Sequence, residues 1–236
     1  MRDQEARVKE VCCQEVPREE EGGTEEAAPR RTGRRVTARY IALEGLEGCG
    51  KSTHTKRLGE HLGAVITREP GGTRIGGLLR GILADTDNTD MDPRTEALLM
   101  AADRAQHMAE VIKPALARGQ HVVSDRSIYS TLAYQGHGRR LGTPDLLAIS
   151  TWALDGRLPD LVVFIDVPTE ILNQRLAKRN LDRFEREGAE FFARINDGFH
   201  QLIAADPDRF VVVDGTAPKD DVEADIRARV RDRLSL

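Results

Sequence analysis

Apolar residues gather in short runs along the chain: YIALE (40–44), AVIT (64–67), HVVSD (121–125), LVVFIDV (161–167) and RFVVVD (209–214). Near-continuous runs of this length suit strands buried on both faces, as in a parallel sheet. The stretches between them read as helices. Residues 51–62 form one, stopped by Gly63. Thr95 to Lys113 form another, ending at Pro114. Residues 144–154 form a third, with Thr143 as N-cap, Pro144 in the first turn and Gly156 just past the end. Val222, Ile226, Val230 and Leu234 make an i, i+4 stripe on a last helix. Strands alternating with helices predict an α/β fold, a parallel sheet covered on both sides. In such sheets ligands bind beyond the C-terminal strand ends. The loop after residue 44, Arg68, Asp125 and the segment after Asp166 should therefore meet at one crevice.

Residues 1–38 break the pattern. Acidic and basic clusters alternate there with few large apolar side chains, so the expectation is a disordered charged tail before a folded domain at 39–236. The chain has 236 residues, enough for one α/β domain. A net charge of −4 argues against a nucleic-acid-binding surface. No apolar run approaches the roughly 20 residues of a membrane span, and no signal-peptide core precedes the first strand. Cys12, Cys13 and Cys49 make no disulfide framework, which fits a cytoplasmic protein. His54, His61, His107 and His200 show no metal-ligand spacing and read as surface or boundary residues.

The stretch EGLEGCGKST (44–53) carries the first clear chemistry. Gly45 to Ser52 match G-x-x-x-x-G-K-[ST], a phosphate-cradling loop between a strand and a helix. The glycines let backbone N–H groups approach phosphate oxygens, and the helix N-terminus adds partial positive charge. Lys51 should reach the β- and γ-phosphates and Ser52 should bind Mg²⁺. No N-K-x-D sequence for reading guanine follows, which argues against a switch GTPase. Glu47 is the odd member, a carboxylate within an anion-binding loop.

Four further stretches complete the picture: TREPGGT (67–73), RTEALLMAADR (94–104), SDRS (124–127) and LAYQGHGRRLG (132–142). In this order, and with the first loop, they resemble the bacterial thymidylate kinases from about Tyr40 to the C-terminus. The resemblance implies a P-loop kinase fold, with a five-stranded parallel sheet flanked by helices on both faces. It implies transfer of a phosphoryl group from ATP to dTMP with Mg²⁺, in a homodimer. Another P-loop nucleoside or nucleotide kinase with a different acceptor is the alternative. A non-catalytic nucleotide-binding protein would be expected to have lost Lys51, Asp125 or the lid arginine, and all three are present.

Carried over residue by residue, the resemblance gives ATP the loop Gly45, Leu46, Glu47, Gly48, Cys49, Gly50, Lys51, Ser52 and Thr53. It gives the acceptor's 5′-phosphate Arg68 and Arg126, with Arg80 a further pocket arginine. Arginine's planar fork suits such a group. Arg104 meets the O4 edge of the base, and Thr131 and Gln135 line the base pocket. Met100 stands where relatives usually carry Phe, and covers the ring less rigidly. Glu69 falls near the sugar and Arg68. Glu47 faces the sugar's 3′-hydroxyl. Asp125 holds Mg²⁺ through water. Ser127 occupies a position read as tolerant.

Residues 136–142 read as a mobile, glycine-rich lid. Among the kinases it resembles, a first loop without a basic residue before the lysine goes with a transfer arginine on the lid, so the resemblance implies Arg139, with Arg140 as a neighbouring candidate. Arg183, in LDRFE (181–185), either closes the site or makes a surface ion pair. Phe199 replaces a frequent Tyr. Gly215, Thr216 and Ala217 lie where the family holds adenine.

Overall fold

A computed structural model describes residues 37–177 and 182–236. The expected tail at 1–38 and Leu181 of the LDRFE stretch lie wholly or almost wholly outside the described residues. Five strands form one parallel sheet: β1 (Tyr40–Glu44), β2 (Val65–Arg68), β3 (Val122–Asp125), β4 (Leu161–Asp166) and β5 (Phe210–Asp214). Their order is β2-β3-β1-β4-β5. Each boundary lies within one residue of the apolar run that predicts it.

All five residues of β1 are buried. Successive side chains point to opposite faces, so both faces of the central strand are covered. The register sets Leu43 opposite Asp125, and Arg68 opposite the same Asp125. The C-terminal ends of β1, β2 and β3 therefore finish level with one another. That alignment brings the first loop, Arg68 and Asp125-Arg126 to one place.

The first helix, α1 (Lys51–Leu62), packs on β1, β2 and β3, and the last, α9 (Lys219–Leu234), on β4, β5 and α1. Val222, Ile226 and Val230 form the buried stripe of α9. Between them run α2 (Arg74–Ala84), α3 (Pro93–His107), α4 (Lys113–Ala117), α5 (Ile128–Thr131), α6 (Thr143–Ala153), α7 (Thr169–Leu176) and α8 (Ala189–Ala205).

Two helix expectations need correction. Pro114 does not end the helix before it. A π-helical turn, Met108–Ile112, follows α3, and Pro114 sits in the first turn of α4. Proline is harmless in a first turn, because its missing N–H has no partner there. The Lys113 N–H closes the wide turn by donating to Met108 O. Upstream, α3 starts at Pro93, and the Asp92 side chain accepts from Arg94 N at 2.8 Å. In α6, Thr143 is already helical and Gly142 is the cap.

The first three residues of the expected lid, 136–138, belong to built structure. Leu132–Gly138 is a second π-helical turn, almost wholly buried and packed on α8. Gly138 in it serves close approach. A Cβ on Gly138 would stand 2.7 Å from the Phe191 ring, and one on Gly198 of α8 would stand 2.6 Å from the His137 ring. Only 139–142 fall outside regular structure.

Gly198→Ala sets two effects against each other. Replacing a mid-helix glycine gains about 0.5–1 kcal/mol, whereas overpacking costs about 1–3 kcal/mol. Urea unfolding is expected to show a net loss of about 1–2 kcal/mol. The loss should become a small gain in a His137→Gly background, because the His137 Cβ itself stands 2.8 Å from the new one. A Gly198→Ala protein as stable as the parent would refute the tight contact.

Candidate active site

A cavity of about 350 Å³ opens at the C-terminal ends of β1–β3. The first loop forms one side. Gly45 there has φ 143°, and a Cβ on it would stand 2.7 Å from Ile165 O, so the tight turn demands glycine. Lys51 Nζ folds back on this loop, donating to Gly45 O at 2.9 Å and Leu46 O at 2.7 Å. Ser52 Oγ donates to Asp125 Oδ2 at 2.5 Å. The hydroxyl at the helix start and the carboxylate at the end of β3 thus meet directly. Lys51, Ser52, Glu47 and Gly48 line the cavity. Leu46 and Cys49 are buried beneath the loop, and Gly45, Gly50 and Thr53 stand off its wall.

Arg68, Arg80 and Arg126 bring positive charge to the same cavity. Burial, and then the Arg68 guanidinium, pull the Arg80 pKa below its ordinary value. Arg80 Nη1 is steered by Pro70 O at 3.1 Å. Arg126 has φ 74°, a left-handed backbone that costs a non-glycine residue about 1–2 kcal/mol. The surroundings offset that strain. Arg126 Nη2 pairs with Glu47 Oε1 at 2.6 Å, and Nη1 donates to Ser130 Oγ at 3.0 Å.

Glu47 is therefore not a free carboxylate among phosphates. Its second oxygen accepts from the Tyr134 hydroxyl at 2.6 Å. Burial alone would raise its pKa, but Arg126 and Lys51 outweigh burial and hold it below the ordinary value. Tyr134 gave no signal in the sequence beyond membership of the LAYQG stretch. Its ring meets Phe184, Phe191 and Phe199 edge-on at 6.4 Å, with the Arg126 guanidinium 4.9 Å from its centre. Phe199 packs fully buried beside Phe164.

The far wall is formed by Met100, Arg104, Thr131 and Gln135. Met100 and Arg104 lie one turn apart on α3 and both reach the cavity. The Arg104 guanidinium donates to Glu69 Oε2 and to Thr131 Oγ1, each at 2.9 Å. The resemblance put Glu69 near Arg68 and a sugar; it lines the cavity beside Arg68, and its carboxylate is turned to Arg104 and to His107 Nδ1, also at 2.9 Å. A buried guanidinium needs a counter-charge, whereas Arg68 is exposed and turns its Nε to Gly71 O. His107 is fully buried, its other nitrogen 2.6 Å from Thr67 Oγ1, and His54 is buried too; neither is a boundary residue.

Ser127 is not an idle position. Its N–H and hydroxyl both donate to Glu44 Oε1 at 2.8 Å. Ser130 Oγ donates to Oε2 at 2.6 Å. Glu44 has no exposed surface, and burial raises its pKa against the pull of Arg126 and these serines.

Arg139 stands apart from the cavity. It pairs with Glu96 Oε2 at 3.2 Å and Glu187 Oε1 at 2.5 Å, and stacks 4.6 Å over Phe191. Arg140 is exposed. Arg183 also pairs with Glu96, at 2.6 Å, while its neighbours Asp182, Phe184 and Glu185 line the cavity. On the other side of the first loop, Arg175 bridges Gly48 O and Gly215 O, each at 3.2 Å. Among the described residues no three His, Cys, Asp or Glu side chains converge as a dedicated metal site. No helix there is long and apolar enough to cross a membrane.

The profile of the thymidylate kinase family matches residues 43–226. The chain belongs to the thymidylate kinase family. A thymidylate kinase of Desulforudis audaxviator is 44% identical over 198 residues, covering 81% of this chain and 90% of that protein. One from Geotalea uraniireducens is 41% identical over 208 residues, covering 83% and 98%. One from Leifsonia xyli is 44% identical over 202 residues, covering 83% and 95%. The matched span takes in every strand but the first residues of β1, and the whole cavity wall of this thymidylate kinase family member.

The lowered Glu47 pKa fixes a pH dependence. A carboxylate whose folded pKa is depressed stabilises the fold above its unfolded value and loses that contribution as pH falls through the folded value. Glu47→Gln is therefore expected to cost about 1–3 kcal/mol at pH 7. The gap to the parent should narrow as pH falls below the ordinary value of 4.5. Urea unfolding at several pH values measures it, and a pH-independent gap would contradict the ion pair.

Proposed function

We propose that this chain transfers the γ-phosphoryl group of ATP to dTMP, giving ADP and dTDP. One observation carries the reading: Arg68, Arg80 and Arg126 share a cavity with the phosphate loop at one end, and Met100, Arg104 and Gln135 line its other wall. The first end suits two phosphate groups brought together. The second suits a flat base with a polar edge.

In this reading the β–γ P–O bond of ATP breaks as a 5′-phosphate oxygen of dTMP bonds to the γ-phosphorus. Such transfer depends on positioning and charge neutralisation. Backbone amides of the loop and Lys51 hold the donor, and Lys51 exchanges its carbonyl partners for phosphate oxygens. Arg68 and Arg126 hold the acceptor phosphate, with Arg80 beside them. Glu47 keeps Arg126 in place. A carboxylate takes about four hydrogen bonds, so Glu47 retains room for the sugar's 3′-hydroxyl.

Ser52 and Asp125 are oxygen donors in contact with each other, a set that suits Mg²⁺ shared with substrate phosphates. When bound, Mg²⁺ would neutralise charge on the phosphates. Arg139 is the candidate for the transferring group, since no basic residue precedes Lys51 in the loop. It would leave Glu187 and Glu96 to reach it, while Arg183 stays on Glu96.

The reading extends to a cytoplasmic homodimer. A reducing compartment suits the free thiol of Cys49. Leu78 on α2, Leu98 on α3 and Trp152 on α6 are 63%, 54% and 82% exposed, on helices in mutual contact through α3. A second subunit would cover such apolar surface. Sedimentation at micromolar concentration is expected to give twice the chain mass, and a monomer would refute this part.

ADP release with Mg-ATP should be fast with dTMP and slow with dUMP, dCMP and dGMP. Equal turnover with another monophosphate would overturn the acceptor assignment. Arg139→Ala is expected to lower kcat at least about tenfold with little change in dTMP affinity. Unchanged turnover would remove Arg139 from the transfer step.

A further inference from the structure

Glu96, on α3, has no exposed surface and stands behind the cavity wall rather than in it. Its carboxylate accepts four hydrogen bonds. Gln135 Nε2 donates to Oε1 at 2.8 Å. Arg139 gives Nε to Oε1 and Nη2 to Oε2, both at 3.2 Å. Arg183 Nη2 donates to Oε2 at 2.6 Å. These four donors fill the acceptor places of both oxygens, so the carboxylate meets every neighbour as an acceptor.

Gln135, unlike Glu96, does line the cavity. A carboxamide has a donor end and an acceptor end of almost equal shape. What holds one end decides which end a ligand meets. Glu96 can hold only the –NH2 end. The carbonyl oxygen Oε1 is then left for the cavity, and no donor among the described residues is hydrogen-bonded to it. Arg104, close by on the same wall, has five N–H groups and no acceptor. Four hydrogen bonds, to Glu69, Ser150, Ser127 and Thr131, leave one N–H over. The wall thus sets a donor beside an acceptor. A pyrimidine-2,4-dione presents the complement, a carbonyl oxygen beside an N3–H. Cytosine presents the reverse at both places.

We infer that Glu96 is a positioning residue for base selection: it fixes the Gln135 carboxamide with its oxygen toward the cavity, so that the base must bring an N3–H. The inference rests on the base placement under Proposed function and adds the group that enforces it. Glu96 touches no substrate and acts through Gln135.

The test compares kcat/KM for dTMP and for 5-methyl-dCMP, whose N3 carries no hydrogen. Facing Gln135 Oε1 with that bare nitrogen should cost the parent enzyme at least about tenfold. In Glu96→Gln the new amide can donate as well as accept, Gln135 is free to turn over, and the preference should fall at least about threefold. A merely structural role would lower stability and leave the ratio intact, so an unchanged ratio in folded Glu96→Gln overturns the inference. A parent enzyme without the preference would instead overturn the base placement itself. Should Glu96→Gln fail to fold, the paired exchange Glu96→Gln with Gln135→Glu keeps the total charge and again presents an acceptor to the cavity. It is expected to retain the parent preference, and loss of the preference there refutes the role.

Discussion

The buried carboxylate of Glu44 is the constraint on which the reaction end of this fold depends. It ends the central strand with no exposed surface. A carboxylate in such a place is costly unless its oxygens are met by donors. Ser127 and Ser130 meet them, and in doing so pin the start of α5 against the end of β1. The two residues just before Ser127 are Asp125 and Arg126. Anchoring on one side comes from strand pairing and on the other from Glu44. Asp125 is thereby delivered to Ser52, and Arg126 is held in a left-handed backbone conformation it would not choose alone.

The sheet was legible because its central strands are buried on both faces and so carry unbroken apolar runs. Helix detail was less so. Gly76, Gly77 and Gly81 weaken the helical signal of α2, and α7 is only eight residues long. Pro114 misled because a π-helical turn upstream makes proline tolerable. The same geometry recurs at 132–138, where Gly138, read as part of a mobile lid, admits the Phe191 ring to close packing, and Gly198 of α8 admits His137 in return.

The site divides along a similar line. Lys51, Ser52, Arg68, Arg104 and Arg126 were legible as neighbours of one cavity because they lie in contiguous motifs, whereas Arg139, read from such a motif too, stands outside the cavity. Glu44, Glu96, Tyr134 and His107 were not, because each acts on partners far away in sequence. Glu44 meets residues 83 and 86 positions on, and Tyr134 reaches back 87 to Glu47. A buried carboxylate or phenol has no local pattern that separates it from an exposed one. The pairing of Glu69 with Arg104 was not legible, since which of two arginines lies buried is a tertiary fact.

Tyr134 gives the aromatic cluster a meaning beyond packing. Phe184, Phe191 and Phe199 come from two separate segments and all press their edges on one ring, whose hydroxyl ends on Glu47. The ring is a stiff strut with the phosphate loop at its tip and α8 at its base. Changes in side-chain volume on α8 would travel along that strut as displacement, without any backbone segment having to move. Substitutions remote from the cavity could then tune the loop's carboxylate by fractions of an ångström, which makes α8 a place where the reaction can be adjusted without touching a reacting group.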